Sequence, residues 1–250
     1  MRPRSGTPEV SPTNPREILP IQAAKNNLLS KLPANELAAL LALSTPIECS
    51  LRDVLSPSGA RIKNVYFPLT GMISLVTELK DGTSLESMTV GREGFAGLAL
   101  FHGVNSTPTM SMCQIEGAFL RLSADSFIAL LPTTPQLGKL LHKYSQFAHE
   151  VVAQSAACNS MHLIEQRCAR WLLISSDAVA SSELGLTHEF LSQMLAVRRP
   201  GVTVAIGELE KAKLIEHRYG KISILDKEGL EKVACECYRT VKDRERELLS

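Results

Sequence analysis

The chain has 250 residues, 44% of them hydrophobic, and sets 27 Lys and Arg against 26 Asp and Glu for a formal net charge of +1. That length can enclose two cores, and the composition excludes wholesale disorder. The near-neutral sum neither requires nor excludes a polyanionic partner, because local charge clusters decide contact with phosphate.

The first 22 residues are proline-rich and hold no apolar stretch long enough for a signal-peptide core or a membrane span, so they predict a flexible tail on a cytoplasmic protein. "NNLLSKLPANELAALLAL", from Asn26 to Leu43, has helical spacing, with the turn from Pro33 to Asn35 starting its second piece. From about Ile47 to Leu122 the text breaks into short apolar runs. Asp81-Gly82 joins two of them and is a hairpin signal, because Gly accepts positive φ without steric cost. A compact antiparallel unit of roughly seven or eight strands follows, and the domain it belongs to is drawn over residues 23–134.

After Pro135 the helical period returns. Leu137, Leu140, Leu141, Tyr144, Phe147, Ala148, Val151 and Val152 recur at three and four residue intervals. A helix of some 24 residues is about 36 Å long, more than the neighbouring β unit can cover. Burying the excess against a second copy makes residues 135–160 a parallel dimerisation helix; the alternative is a core helix packed within one chain. Residues 161–228 read as helices closed by a hairpin, and 229–250 as a helical tail. "HLIEQRCARWLLISSDAVA" is amphipathic, with Leu163, Cys168, Trp171, Leu172 and Ile174 as expected core. In "THEFLSQML", Thr187 suits an N-cap and Glu189 the first turn. Ala196-Val197 leave room only for a tight turn. Arg198, Arg199 and Pro200 then open a third helix, where Pro is tolerated because its missing N–H has no partner there. Two short strands around Tyr219-Gly220 end the unit.

Two helices separated by about four residues, the second burying Val202, Ala205, Ile206 and Leu209, leave Arg198, Arg199 and Thr203 outward at its start. That is the layout of a helix-turn-helix, whose second helix enters the major groove by its N-terminus. Guanidinium groups there take phosphate or pair with N7 and O6 of guanine. Arg218, on the hairpin, can clamp the flanking backbone as a wing.

The order of elements, carried by "VYFPLTGMISLV", "VGREGFAGLALF", "LIEQRCARWLL" and "LTHEFLSQMLAVRRPGVTVAIGELEKAKLI", resembles the Crp/Fnr family, that of the cyclic-AMP receptor protein and the fumarate and nitrate reduction regulator, over about residues 25 to 235. The resemblance implies an α+β fold: an N-terminal cyclic-nucleotide-binding-like β-roll (jelly roll), a long dimerisation helix and a C-terminal winged helix-turn-helix. It implies a cytoplasmic, homodimeric, sequence-specific transcription regulator whose partners are double-stranded DNA, a second copy through the helix from Leu137 to Cys158, and RNA polymerase as a further candidate, with no membrane. The residues expected at the DNA are Thr187, His188, Arg198, Arg199, Pro200, Thr203 and Arg218. Arg199 keeps the family's guanine-reading place. Pro200 stands where a Glu often contacts cytosine and Val204 where a second Arg often reads a base, so the family's usual half-site is not implied. The competing reading is a ligand-binding or interaction module whose winged helix has lost DNA, since fold alone does not fix function.

The sensory pocket departs further. Family members that bind cyclic nucleotides hold ribose with a Glu and phosphate with an Arg-Ser pair; counting without gaps puts Gly97, Thr107 and Pro108 at those places. No Lys or Arg occurs between Arg92 and Arg121, so a phosphate buried there would lack its guanidinium. Cyclic AMP or cyclic GMP is not the expected effector, and the sequence names no other. Arg92 and Glu93 are the remaining pocket candidates, with a surface ion pair as their plainer reading.

The six cysteines, Cys49, Cys113, Cys158, Cys168, Cys235 and Cys237, sit in a chain too large to need staples and predict reduced thiols. Cluster spacing for iron and sulfide is missing. Cys235 and Cys237, placed on one C-terminal helix, would point about 200° apart and could not share a metal. Cys158 and His162 have the i, i+4 spacing of one helix face, and the plainer reading of His162 is a satisfied helix-end residue. His102, His142 and His149 lack ligand-spaced partners for haem. No metal site and no cofactor are expected. With no G-x-S-x-G elbow, Walker loop or H-E-x-x-H, the chain is not read as an enzyme.

Overall fold

The structure, a computed structural model, describes residues 23–249. The tail expected over residues 1–22 lies outside them. Strands β1 (Thr45–Cys49), β7 (Gly117–Ser123) and β3 (Asn64–Pro68) form one sheet in the order β1-β7-β3. Strands β2 (Val54–Ser56), β6 (Thr109–Ile115), β4 (Met72–Glu78) and β5 (Ser84–Val90) form the second, in the order β2-β6-β4-β5. All pairings are antiparallel. The expected hairpin joins β4 to β5: Gly82 has φ +82° and the Asp81 carboxylate accepts from the Thr83 N–H at 2.9 Å. Phe67, Phe95, Phe119 and Leu120 fill the space beneath, with the Phe67 and Phe95 rings stacked at 5.4 Å. Short α-helices among the described residues complete the roll, α1 (Ala34–Leu43), α2 (Leu98–Phe101) and α3 (Ala124–Leu130).

Helix α4 runs from Pro135 to Met161. A helix start leaves backbone N–H groups without partners. Here a residue a hundred positions away supplies two acceptors: the Glu36 carboxylate takes the Gln136 N–H at 3.1 Å and the Leu137 N–H at 2.9 Å. The apolar stripe of α4 departs from expectation. Leu137, Leu141, Tyr144, Phe147, Ala148 and Val151 are buried within their own chain, against the roll and a C-terminal helix, α9 (Cys237–Leu249). Leu249 belongs to the roll's core, Val241 and Leu248 pack on it, and Arg244 grips Glu150 of α4 with one bond at 2.8 Å. That guanidinium holds the Glu150 carboxyl down at about 2. The sequence offered no sign that the tail folds back. Outward on α4 are Val152, Ala153 and Ala156.

The C-terminal unit contains α5 (Ile164–Val179), β8 (Glu183–Gly185), α6 (His188–Met194), α7 (Arg199–Lys211), β9 (Ile215–Arg218), β10 (Lys221–Ile224) and α8 (Lys227–Val233). Its wing has three strands, in the order β8-β10-β9, one more than the hairpin expected. Cys168, Trp171 and Leu172 are core as expected. Leu163 is not: it is 72% exposed, because it caps α5 from outside the helix. Cys235 and Cys237 do not share a helix either. Helix α8 stops at Val233, Ala234 is extended (φ −60°, ψ 148°), and α9 begins at Cys237, so the two thiols flank a corner. Among the described residues no helix is long and apolar enough to cross a membrane.

Candidate nucleic-acid interface and roll cavity

The Thr187 hydroxyl caps α6, accepting from the Phe190 N–H at 3.1 Å. The helix ends in a tight turn: Ala196 takes φ +48°, and the Val197 N–H reaches back to the Ser192 carbonyl at 3.0 Å. Arg198 is then the N-cap of α7, with Arg199 and Pro200 in its first turn. Val202, Ala205, Ile206 and Leu209 are buried, while Arg198, Arg199, Pro200, Thr203 and Val204 are exposed. One face of α7 is thus fixed by packing and the other presented to solvent at its N-terminal end.

The turn is held from behind by Arg167 of α5, which is buried and donates to the Leu195 carbonyl and, at 2.9 Å, to Asn159 of α4. No sequence pattern marked this residue; a buried arginine is visible only once its partners are placed. It links the long helix to the turn between α6 and α7.

The polar groups at the start of α7 and on the wing are partly engaged with each other. The Thr203 hydroxyl donates to the Arg199 carbonyl at 3.2 Å and lies 3.2 Å from His188 Nδ1. The His188 ring packs on His217 of the wing at 4.5 Å. Burial, with His217 and Arg199 adding to it, lowers the His188 pKa, which favours a neutral ring. Arg218 is ion-paired with Glu216 at 2.8 Å, so its guanidinium must exchange partners to meet a phosphate. At the wing tip Tyr219 (φ +51°) and Gly220 (φ +74°) form the turn, and Tyr219 is fully exposed.

The five pocket candidates do not converge. Gly97 and Thr107 line a cavity of about 150 Å³ inside the roll, with Ser56, Asn64, Tyr66 and Ser111. No lysine, arginine, aspartate or glutamate is among the residues lining it. Pro108 flanks it, its carbonyl accepting from the Ser58 hydroxyl at 2.6 Å. Arg92 and Glu93 line a different cleft, also of about 150 Å³, between the roll and the C-terminal unit, together with Glu86, Arg170, Trp171 and Lys242. They are not the surface ion pair that was the plainer reading. Arg92 reaches the Asp177 carbonyl at 3.5 Å, and the Glu93 carboxylate turns inward to accept from the Gly91 N–H at 2.8 Å. Burial, aided by Glu245, raises that carboxyl to about 7 despite the bond from Gly91.

The fold is a jelly-roll unit joined by one long helix to a winged helix-turn-helix. Residues 166–233 match the model of the Crp-like helix-turn-helix domain. The transcriptional regulator SdrP of Thermus thermophilus is 28% identical over 177 residues, covering 68% of this chain and 83% of that relative. In fold the chain is similar to TTHB099, a CRP-family transcriptional regulator from Thermus thermophilus (TM-score 0.63, 18% identity, 75% of this chain and 96% of that one). It is likewise similar to FixK2 from Bradyrhizobium japonicum (TM-score 0.62, 14% identity, 77% and 98%). The chain is thus similar to transcriptional regulators of the Crp/Fnr family, most specifically through the Crp-like helix-turn-helix at residues 166–233.

Proposed function

We propose that this chain is a cytoplasmic regulator, not an enzyme, that binds duplex DNA site-specifically as a homodimer, laying the start of α7 in the major groove. The observation that carries the reading is the division of α7: Val202, Ala205, Ile206 and Leu209 lock one face, and Arg198, Arg199, Thr203 and Val204 are exposed on the other. Arg199 reads guanine and Val204 contacts a thymine methyl. Pro200 starts the helix but offers no acceptor to cytosine. Arg198 takes phosphate, and Arg218 holds the flanking backbone once it leaves Glu216. The outward residues Val152, Ala153 and Ala156 of α4 are small and apolar, which supports close approach of a second copy there. RNA polymerase is a further partner of this reading.

The roll does not use cyclic AMP or cyclic GMP in the family's usual way, because the lining of its cavity offers no cation for the phosphate. Selecting binding sites from genomic fragments and titrating the enriched duplex by fluorescence anisotropy tests the proposal. A bound motif with two half-sites and an affinity that falls steeply with salt is expected. Equal indifference to every fragment at low salt would overturn it.

A further inference from the structure

Four residues that belong neither to the interface nor to either cavity meet at the joint of the two domains. Helix α4 brings Cys158 and, one turn on, its C-cap His162; the corner between α8 and α9 brings Cys235 and Cys237. One ligand atom from each lies within 4.8 Å of all the others. The Cys158 and Cys235 sulfurs are 3.5 Å apart, and His162 Nδ1 is 3.6 Å from the Cys237 sulfur. Around zinc, with Zn–S of about 2.3 Å and Zn–N of about 2.0 Å, tetrahedral edges come to about 3.8 Å between sulfurs and about 3.6 Å between sulfur and nitrogen.

The surroundings match as well. His162 Nε2 lies 3.2 Å from the Glu236 carboxylate, which fixes the ring so that Nδ1 faces the thiols. A metal-bound histidine commonly carries such a partner on its other nitrogen. The Gln154 amide N–H donates to the Cys237 sulfur at 3.0 Å. All three thiols are buried, and none is in a disulfide. Cys49, Cys113 and Cys168, by contrast, lie in the two apolar cores.

We propose that Cys158, His162, Cys235 and Cys237 bind one zinc ion in a closed site of three thiolates and one imidazole. On binding, each thiol releases its proton to solvent and the neutral ring contributes its Nδ1 lone pair. Four protein ligands leave no open position, so the site is structural. It clasps the α8–α9 corner to the residue where α4 gives way to α5, which sets the stiffness of the joint between roll and winged helix.

The test uses the full chain, free of any polyhistidine tag and purified under reducing conditions. About one zinc per chain is expected by plasma mass spectrometry. Replacement by cobalt should give the strong visible bands of a tetrahedral ion with thiolate-to-metal charge transfer. Cys237→Ser should weaken those bands, and Cys235→Ser with Cys237→Ser should abolish them. If a double variant fails to fold, the wild-type cobalt spectrum decides alone. A folded, reduced wild-type chain that shows no such spectrum overturns the proposal, and so does recovery of a Cys158–Cys235 disulfide with no metal from a preparation supplied with zinc.

Discussion

The indole N–H of Trp171 donates to the Glu86 carboxylate at 2.9 Å, joining the first helix of the winged unit to a strand of the roll. The other carboxylate oxygen accepts from the Ser74 hydroxyl at 2.6 Å. Burial raises the Glu86 pKa, opposed by these two donors and by Gln114 and Arg170. Trp171→Phe keeps most of the apolar contact and removes one donor. We expect it to cost about 1–3 kcal/mol, read as a lower denaturant midpoint, with faster hydrogen exchange along β5 and α5. An unchanged midpoint and unchanged exchange would show that the two units do not rely on this bond.

Glu93 predicts a pH dependence. Its carboxyl titrates at about 7 in the folded chain and near the ordinary value of 4.5 when unfolded. Between those values the folded chain holds the proton that the unfolded chain has lost. The contribution is therefore full below about pH 4.5 and disappears as the pH rises through about 7. Glu93→Gln should flatten the stability profile across this window and stabilise the chain at pH 8 by on the order of 2–3 kcal/mol. Thermal unfolding of both proteins at several pH values gives the comparison.

On the proposed DNA face, Arg199→Ala should lose roughly 1–3 kcal/mol of operator affinity and relax one position of the site. Arg218→Ala should weaken all sequences alike and reduce the salt slope by about one. Glu216→Gln frees Arg218 from its ion pair and should strengthen binding a few-fold at low salt. Titrations against wild-type and single-substituted operators separate the three outcomes.

Gly97 is placed by backbone demands. Its φ is +114°, and an added Cβ would lie 2.6 Å from Val65 Cγ1. Gly97→Ala should destabilise the roll by about 1–3 kcal/mol through backbone strain together with the overlap with Val65, measurable by calorimetry on the protein without ligand.

Local pattern made much of the fold legible. The hairpin at Asp81-Gly82, the cap at Thr187, the turn at Ala196 and the buried face of α7 each rest on a few neighbouring residues, and each appears where sequence physics puts it. What escaped depended on contacts distant in the chain. The α4 stripe looked unpaired because nothing in the final residues announces that Val241, Leu248 and Leu249 cover its neighbourhood. Cys235 and Cys237 seemed irreconcilable because the helix was drawn through Ala234, whose extended backbone breaks it. Arg92 and Glu93 stand close to Gly97 in the chain, yet they line one cleft and Gly97 another, a separation that only the folded backbone shows.

Leu249 is 4% exposed and sits in the same core as Leu28, Phe67 and Tyr144. During synthesis the roll therefore emerges with a side it cannot yet close, and waits for more than a hundred further residues to leave the ribosome. Trimming the last turn of α9, or fusing a bulky reporter there, should be felt first in the domain made earliest.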